Sequence, residues 1–217
     1  MPKNYKGKLI VLDGVDYAGK DTQIIKLADC LYQASKANNI LLTREPTMLT
    51  DEGRRIRELL ATMKDPREKA EELTDLLIRD RRKLMSYVVE PNLEQGLLVL
   101  VNRHKYSTTA YQGTQGISTQ KIIDAHKGMI KPDLVLILDI NPDEYARRAS
   151  ISKGQVHTEV FDRNKEFISS VRKLFLQMRD FYPEENIKII PAEGLAEDVH
   201  KKILAEVLNV LPENKKE

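Results

Sequence analysis

The chain has 217 residues, 41% of them hydrophobic and 31% charged, with a net charge of +2 and a single cysteine. That length suits one domain with its own core, the balanced charge excludes a protein that coats nucleic acid, and one cysteine excludes an internal disulfide. No apolar run approaches the roughly 20 residues that cross a bilayer, and the polar, basic amino terminus does not open a secretory leader, so the cytoplasm is the default compartment and neither membrane nor nucleic acid is an expected partner.

The first apolar run, "KLIVLD" (8–13), shows no alternation, the mark of a strand covered on both faces. It runs into Gly14-Val15-Asp16-Tyr17-Ala18-Gly19-Lys20, followed by Asp21 and Thr22. Ile24, Leu27, Ala28 and Leu31 then follow helical spacing, and Cys30 within that pattern reads as a buried thiol. "ILLT" (40–43) is a second buried strand, and Pro46 of "TREP" (43–46) ends its extended run and sets Arg44 at the strand's carboxyl edge. A long helical pattern over 69–95 carries Arg81, bends near Pro91 and stops at Gly96. "LLVLV" (97–101) is the third strand and delivers Asn102 and Arg103 to the same edge. Helical patterns over 118–128 and 142–149 flank the fourth strand, "LVLILD" (134–139). Another helix spans 160–182, "IKII" (187–190) is the fifth strand, and a last amphipathic helix runs from about 195 to 210 through Val199, Ile203, Val207 and Val210. The tail "ENKKE" reads as frayed.

Strands alternating with helices predict an α/β fold, a five-stranded parallel sheet with helices on both faces and ligands at the strands' carboxyl ends. The pattern GxxxxGK[ST] fits Gly14, Gly19 and Lys20 and fails at Asp21. Between a buried strand and an amphipathic helix, such a loop turns backbone N–H groups and a helix amino end toward phosphate, with Lys20 reaching the β/γ-phosphates. Lys20, Arg44, Arg81 and Arg103 are thereby expected around one cleft, as phosphoryl transfer requires.

The ordered segments "LDGVDYAGKDTQ", "TREP", "DRRKLMSYVVEPNLEQG", "NRHKYSTTAYQG" and "KPDLVLILDINPDE" resemble the thymidylate kinase family over nearly the whole chain. The resemblance implies a P-loop nucleoside-monophosphate-kinase fold in one domain, 1–217, with a lid segment at about 150–159. It implies transfer of the γ-phosphoryl of ATP to dTMP, magnesium as cofactor and a homodimer. By position, the loop from Gly14 to Thr22, with Arg148 and Lys153, is the implied ATP site. Asp16 resembles the carboxylate that receives the acceptor's 3′-hydroxyl, and Arg44 and Arg103 resemble the binders of the acceptor phosphate. Arg81 matches the arginine that reaches toward thymine and phosphate, Thr108 faces the base, Tyr111 crowds the ribose 2′ position and Gln112 lies beside it. Lys20, Arg103, Asp16 and Arg44 are the implied catalytic set; Asp21, Asn102 and Asp13 are the implied metal-directed residues.

Departures from the family pattern fall at Asp21, where a loop hydroxyl is usual, at Asn102, where an aspartate is usual, and at Leu77, where a phenylalanine often stacks on the base. The loop residues Tyr17 and Ala18 are not basic, so a lid cation is expected: Lys153 first, then Arg147 and Arg148, with His157 marginal. Two alternatives stay open, a kinase for another (deoxy)nucleoside monophosphate and a catalytically impaired nucleotide-binding protein of the same build.

Overall fold

The computed structural model describes residues 5–65, 67–152 and 165–211. The strands form where the apolar runs lie: β1 (Lys8–Gly14), β2 (Ile40–Arg44), β3 (Leu98–Asn102), β4 (Leu134–Asp139) and β5 (Ile187–Pro191). They make one parallel sheet in the order β2-β3-β1-β4-β5. Leu9, Ile10, Val11 and Leu12 of β1, Val99 to Val101 of β3 and Leu134 to Ile137 of β4 are all but inaccessible, because these strands carry helices on both faces. β2 departs from its expected two-sided cover: as an edge strand it leaves Leu42 43% exposed.

Around the sheet lie α1 (Lys20–Ala34), α2 (Asp51–Thr62), α3 (Ala70–Leu84), α4 (Glu90–Glu94), α5 (Lys105–Thr114), α6 (Thr119–Ala125), α7 (Pro142–Ser152), α8 (Lys165–Leu176), α9 (Met178–Phe181) and α10 (Ala196–Leu208). The long pattern over 69–95 is continuous, but its irregularity is a π-helical turn at Met85–Val89, immediately before Pro91. Pro91 has no N–H to offer the preceding turn and its ring crowds the carbonyl four residues back, so the backbone widens and the Glu90 N–H reaches the Met85 carbonyl. Cys30 is only partly buried. The tail and the amino-terminal end of the helix expected over 160–182 fall outside the described residues.

Two helices escaped the sequence reading. α2 has a legible start, since the Thr50 hydroxyl accepts from the Gly53 N–H at 2.9 Å and Asp51 and Glu52 occupy the first turn. Its buried residues Ile56 and Leu59 pack it against α3. α5 has no amphipathic signal to read: Tyr106, Thr108, Thr109, Ala110, Tyr111 and Gln112 are all buried, so the helix is enclosed on every side and shows no period.

Parallel register makes the carboxyl edge of the sheet flush. Asn102 pairs with Leu12 on one side and with Arg44 on the other. The loop after β1, the end of β2 and the loop after β3 therefore open onto one space.

Candidate active site

The loop from Val15 to Gly19 wraps the amino end of α1. Gly14 has φ 135°, and a Cβ there would sit 2.4 Å from the Leu138 carbonyl oxygen, so only glycine lets β1 pass β4 at this point. Gly19 has φ 93° and forms the left-handed entry to α1. Tyr17 adopts φ 59° without being glycine, and so does Arg103 at φ 70°. Both line one cleft, whereas Lys69, the other described non-glycine residue at positive φ, lies away from it at the start of α3.

That cleft, of about 570 Å³, is lined by Asp16, Tyr17, Gly19, Lys20, Asp21 and Thr22 of the loop and α1, by Arg44, Leu77, Arg81, Asn102, Arg103, Thr108, Tyr111 and Gln112 from the other elements, and by Arg148 of α7. Most of the residues singled out from the sequence thus share one space. Val15 and Ala18 are buried behind the loop. Arg147 is exposed and forks onto Glu144, outside the cleft lining. Lys153, His157 and most of the lid segment 150–159 lie outside the described residues.

Lys20 is buried and donates from Nζ to the Val15 carbonyl at 2.7 Å. Burial, then repulsion from Arg103, pushes its ammonium down to about 8, against the pull of Asp16, Asp13 and Asp21. Across the cleft Arg103 donates to Asp16 and to Ser107 Oγ at 3.1 Å. The Tyr111 hydroxyl donates to the other Asp16 oxygen at 2.8 Å and accepts from the Asp16 N–H at 3.2 Å. Burial pushes the Asp16 carboxyl up, but the Arg103 and Lys20 charges together with these hydrogen bonds outweigh it and hold it below the ordinary carboxylate range. Arg148 is pinned by Glu144, by the Tyr17 carbonyl at 3.2 Å and by the Ala192 carbonyl at 2.7 Å, so it props the phosphate loop from outside the sheet.

Arg81 is 1% exposed and every arm of its guanidinium is engaged. Nε meets Glu45 at 2.5 Å, Nη1 meets His126 Nε2 at 2.6 Å and Nη2 donates to Thr108 Oγ1 at 3.1 Å. Burial pushes Glu45 up to about 7 despite Arg81, and burial beside Arg81 pushes His126 down to about 3, so His126 is a neutral acceptor toward Arg81 at neutral pH. Glu45 and His126 were missed in the sequence reading. Glu45 stands in "TREP" but no spacing announced its partner, and His126 lies 45 positions from Arg81. Also missed were Arg57 and the apolar wall of Ile56, Leu60 and Leu73, which continues Leu77 along α2 and α3.

Asp13, expected among the metal-directed residues, has another task. Its Oδ1 accepts from the Gly14 N–H at 2.9 Å and Ser107 Oγ at 2.5 Å, and its Oδ2 accepts from the N–H groups of His104 at 2.9 Å and Ser107 at 3.0 Å. It is fully buried and ties the phosphate loop to Ser107 of α5 and to His104, the residue before that helix. Asp21 and Asn102 do meet: Asn102 Nδ2 donates to Asp21 Oδ1 at 2.7 Å, and Arg44 approaches the same oxygen at 3.6 Å. Asn102 Oδ1 is buried with no hydrogen-bond partner among the described residues. An exposed carboxylate in the first turn after the phosphate loop and an orphaned amide oxygen beside it are hard oxygen donors of the kind magnesium prefers alongside phosphate and water.

The sequence model of the thymidylate kinase family matches residues 12–203. A probable thymidylate kinase of Thermococcus gammatolerans is 34% identical, covering 91% of this chain and 94% of that protein. The thymidylate kinase of Desulfotalea psychrophila is 33% identical, covering 96% and 98%. The solved structure of a thymidylate kinase from Ehrlichia chaffeensis is similar with a TM-score of 0.71 at 26% identity, covering 93% of this chain and 99% of that one. A five-stranded parallel sheet, a phosphate loop at its centre and these matches over nearly the full length lead to one conclusion: the chain belongs to the thymidylate kinase family.

Proposed function

We propose that the protein transfers the γ-phosphoryl group of ATP to dTMP, giving dTDP and ADP. The observation that carries this reading is one cleft in which Lys20 stands at the loop and Arg44, Arg81 and Arg103 stand across from it, with Asp16 and Tyr111 between them. Phosphoryl transfer asks a protein for positioning and charge rather than covalent chemistry, and this is an arrangement of fixed charges. Lys20 takes the donor phosphates, held in place by the loop N–H groups and the amino end of α1. Arg44 and Arg103 take the acceptor phosphate and bring one of its oxygens in line with the γ-phosphorus. Arg81, locked by Glu45 and His126, presents one edge with Thr108 to the base, and Leu77 with Ile56, Leu60 and Leu73 gives that base an apolar wall. Tyr111 fills the sugar's 2′ side while Asp16 accepts from the 3′-hydroxyl. Asp21 and Asn102 would hold magnesium, which supplies neutralisation of phosphate charge when bound.

In this reading the chain is one domain, 1–217, whose lid at about 150–159 closes over ATP, and it works as a homodimer in the cytoplasm. No described helix is long and apolar enough to cross a membrane.

An ADP-release assay with ATP, magnesium and each common nucleoside monophosphate tests the reading. dTMP is expected to be the best acceptor, dUMP next and UMP poor. Equal turnover of UMP and dUMP would overturn the sugar assignment, and no turnover with any acceptor would overturn the enzyme.

A further inference from the structure

At the sheet edge each of two arginines lies beside a carboxylate of the phosphate loop or of the turn that follows it. Arg103 hydrogen-bonds Asp16 of the phosphate loop, and Arg44 approaches Asp21 of the first turn of α1 as a looser ion pair. The Asp16 pair sits deep, with side chains 21% and 22% exposed. The Asp21 pair is different: its Oδ1 lies 3.6 Å from Arg44, both side chains are well over half exposed, and the same oxygen is fixed at 2.7 Å by Asn102, itself buried. Asn102 thus parks the carboxylate where Arg44 reaches it, because Arg44 and Asn102 are register partners at the ends of β2 and β3. The Arg44 pair is solvated and weak, so it exchanges partners at little cost. Both members of the pair line the cleft, Asp21 next to Lys20 at the start of α1 and Arg44 at the end of β2; in the kinase reading these are the donor and the acceptor side.

We infer that Asp21 makes acceptor binding depend on the metal-bound donor: it restrains Arg44 in the empty site, and engaging the Asp21 carboxylate through the donor's magnesium frees Arg44 for the acceptor phosphate. The inference rests on the kinase reading above. It adds that the two substrates are coupled, that the coupling runs through one ion pair, and that the metal switches it. Metal-free ATP brings negative charge toward Asp21 and gives that carboxylate no reason to leave Arg44. A magnesium-bound triphosphate does. Linkage then requires that the acceptor in turn tighten the metal-bound donor by the same factor.

The test is titration calorimetry of dTMP into the full-length protein alone, with a non-hydrolysable ATP analogue in excess chelator, and with the same analogue plus magnesium. In the wild type, dTMP is expected to bind more tightly with the magnesium form and not with the metal-free form. Asp21→Asn should bind dTMP alone roughly two- to fivefold more tightly than wild type, the scale of an exposed ion pair, and should lose most of the difference between the two donor forms. In an Arg44→Gln background, Asp21→Asn should add little, since no guanidinium remains to release. Unchanged dTMP affinity in Asp21→Asn, or a gain that survives intact in Arg44→Gln, overturns the coupling. Wild-type protein that binds neither the analogue nor dTMP overturns the kinase reading itself, a result distinct from loss of coupling between two ligands that bind. Both side chains are solvent-facing, so the variants fold, and their thermal melts check this.

Discussion

Tyr111→Phe separates the two jobs the structure gives this side chain. The family resemblance gives a role to the ring alone, at the ribose 2′ side. The structure puts the hydroxyl between the Asp16 carboxylate at 2.8 Å and the Asp16 N–H at 3.2 Å, on a side chain that is 5% exposed. Burial, then the neighbouring Asp16 charge, hold the phenol well above its ordinary range, so it remains a donor at any working pH. Removing a hydrogen bond to a buried charged group costs about 1.5–3 kcal/mol, and no cavity forms because the ring stays. Of the groups that fix the Asp16 carboxylate, Arg103 is left, so the 3′-hydroxyl site loosens while the 2′ side stays closed. Urea unfolding should show a loss of about 2 kcal/mol. Steady-state kinetics should show the dTMP KM rising on the order of tenfold with the dUMP-to-UMP preference kept. Tyr111→Ala, by contrast, removes a ring packed against Phe167 and Phe175, costs about 3–5 kcal/mol and should relax the sugar preference. A Tyr111→Phe protein within 0.5 kcal/mol of wild type, on the scale set by ordinary surface substitutions, and with an unchanged dTMP KM would refute this account of the hydroxyl.

Lys20→Ala should lower turnover by about 10²-fold or more with the fold intact, since a fixed cation is lost from the transition state, and single-turnover kinetics would show it. The Lys20 ammonium, pushed down to about 8 by burial, loses its proton in the folded chain above about pH 8, while the unfolded chain holds it up to its ordinary 10.5; stability therefore rises with pH between those two values, and the wild-type-minus-Lys20→Met difference in urea unfolding at pH 7.5 and 10 should reveal it. ATP binding at pH 9 should take up a proton for the same reason, read from calorimetry in buffers of different ionisation enthalpy; zero uptake would contradict the buried, depressed Lys20. Asp13→Asn turns an amide nitrogen toward the N–H and hydroxyl donors of Gly14, His104 and Ser107, and should cost about 3 kcal/mol or more in urea unfolding while leaving magnesium dependence unchanged in whatever folds.

What the sequence determined by itself was the sheet and its edge. Buried parallel strands are continuous apolar runs, so Leu9 to Leu12 and Leu134 to Leu138 announced themselves, and the residues that follow such runs must stand at the carboxyl edge. Lys20, Arg44 and Arg103 were legible for that reason, and Tyr111 and Thr108 only because their segment resembles a family. Only the tertiary structure decided which groups face each other. Asp13 and Asp21 were equal as carboxylates in the sequence, yet one accepts from the backbone of His104 and Ser107 at the start of α5 and the other lies open to solvent beside Asn102. Arg81 needed Glu45 and His126 from elements far along the chain to become a fixed edge, and α5 gave no period because every face of it is buried. Periodicity records how a segment meets water, whereas a site depends on which buried groups meet one another, and that is set by packing across the sheet edge.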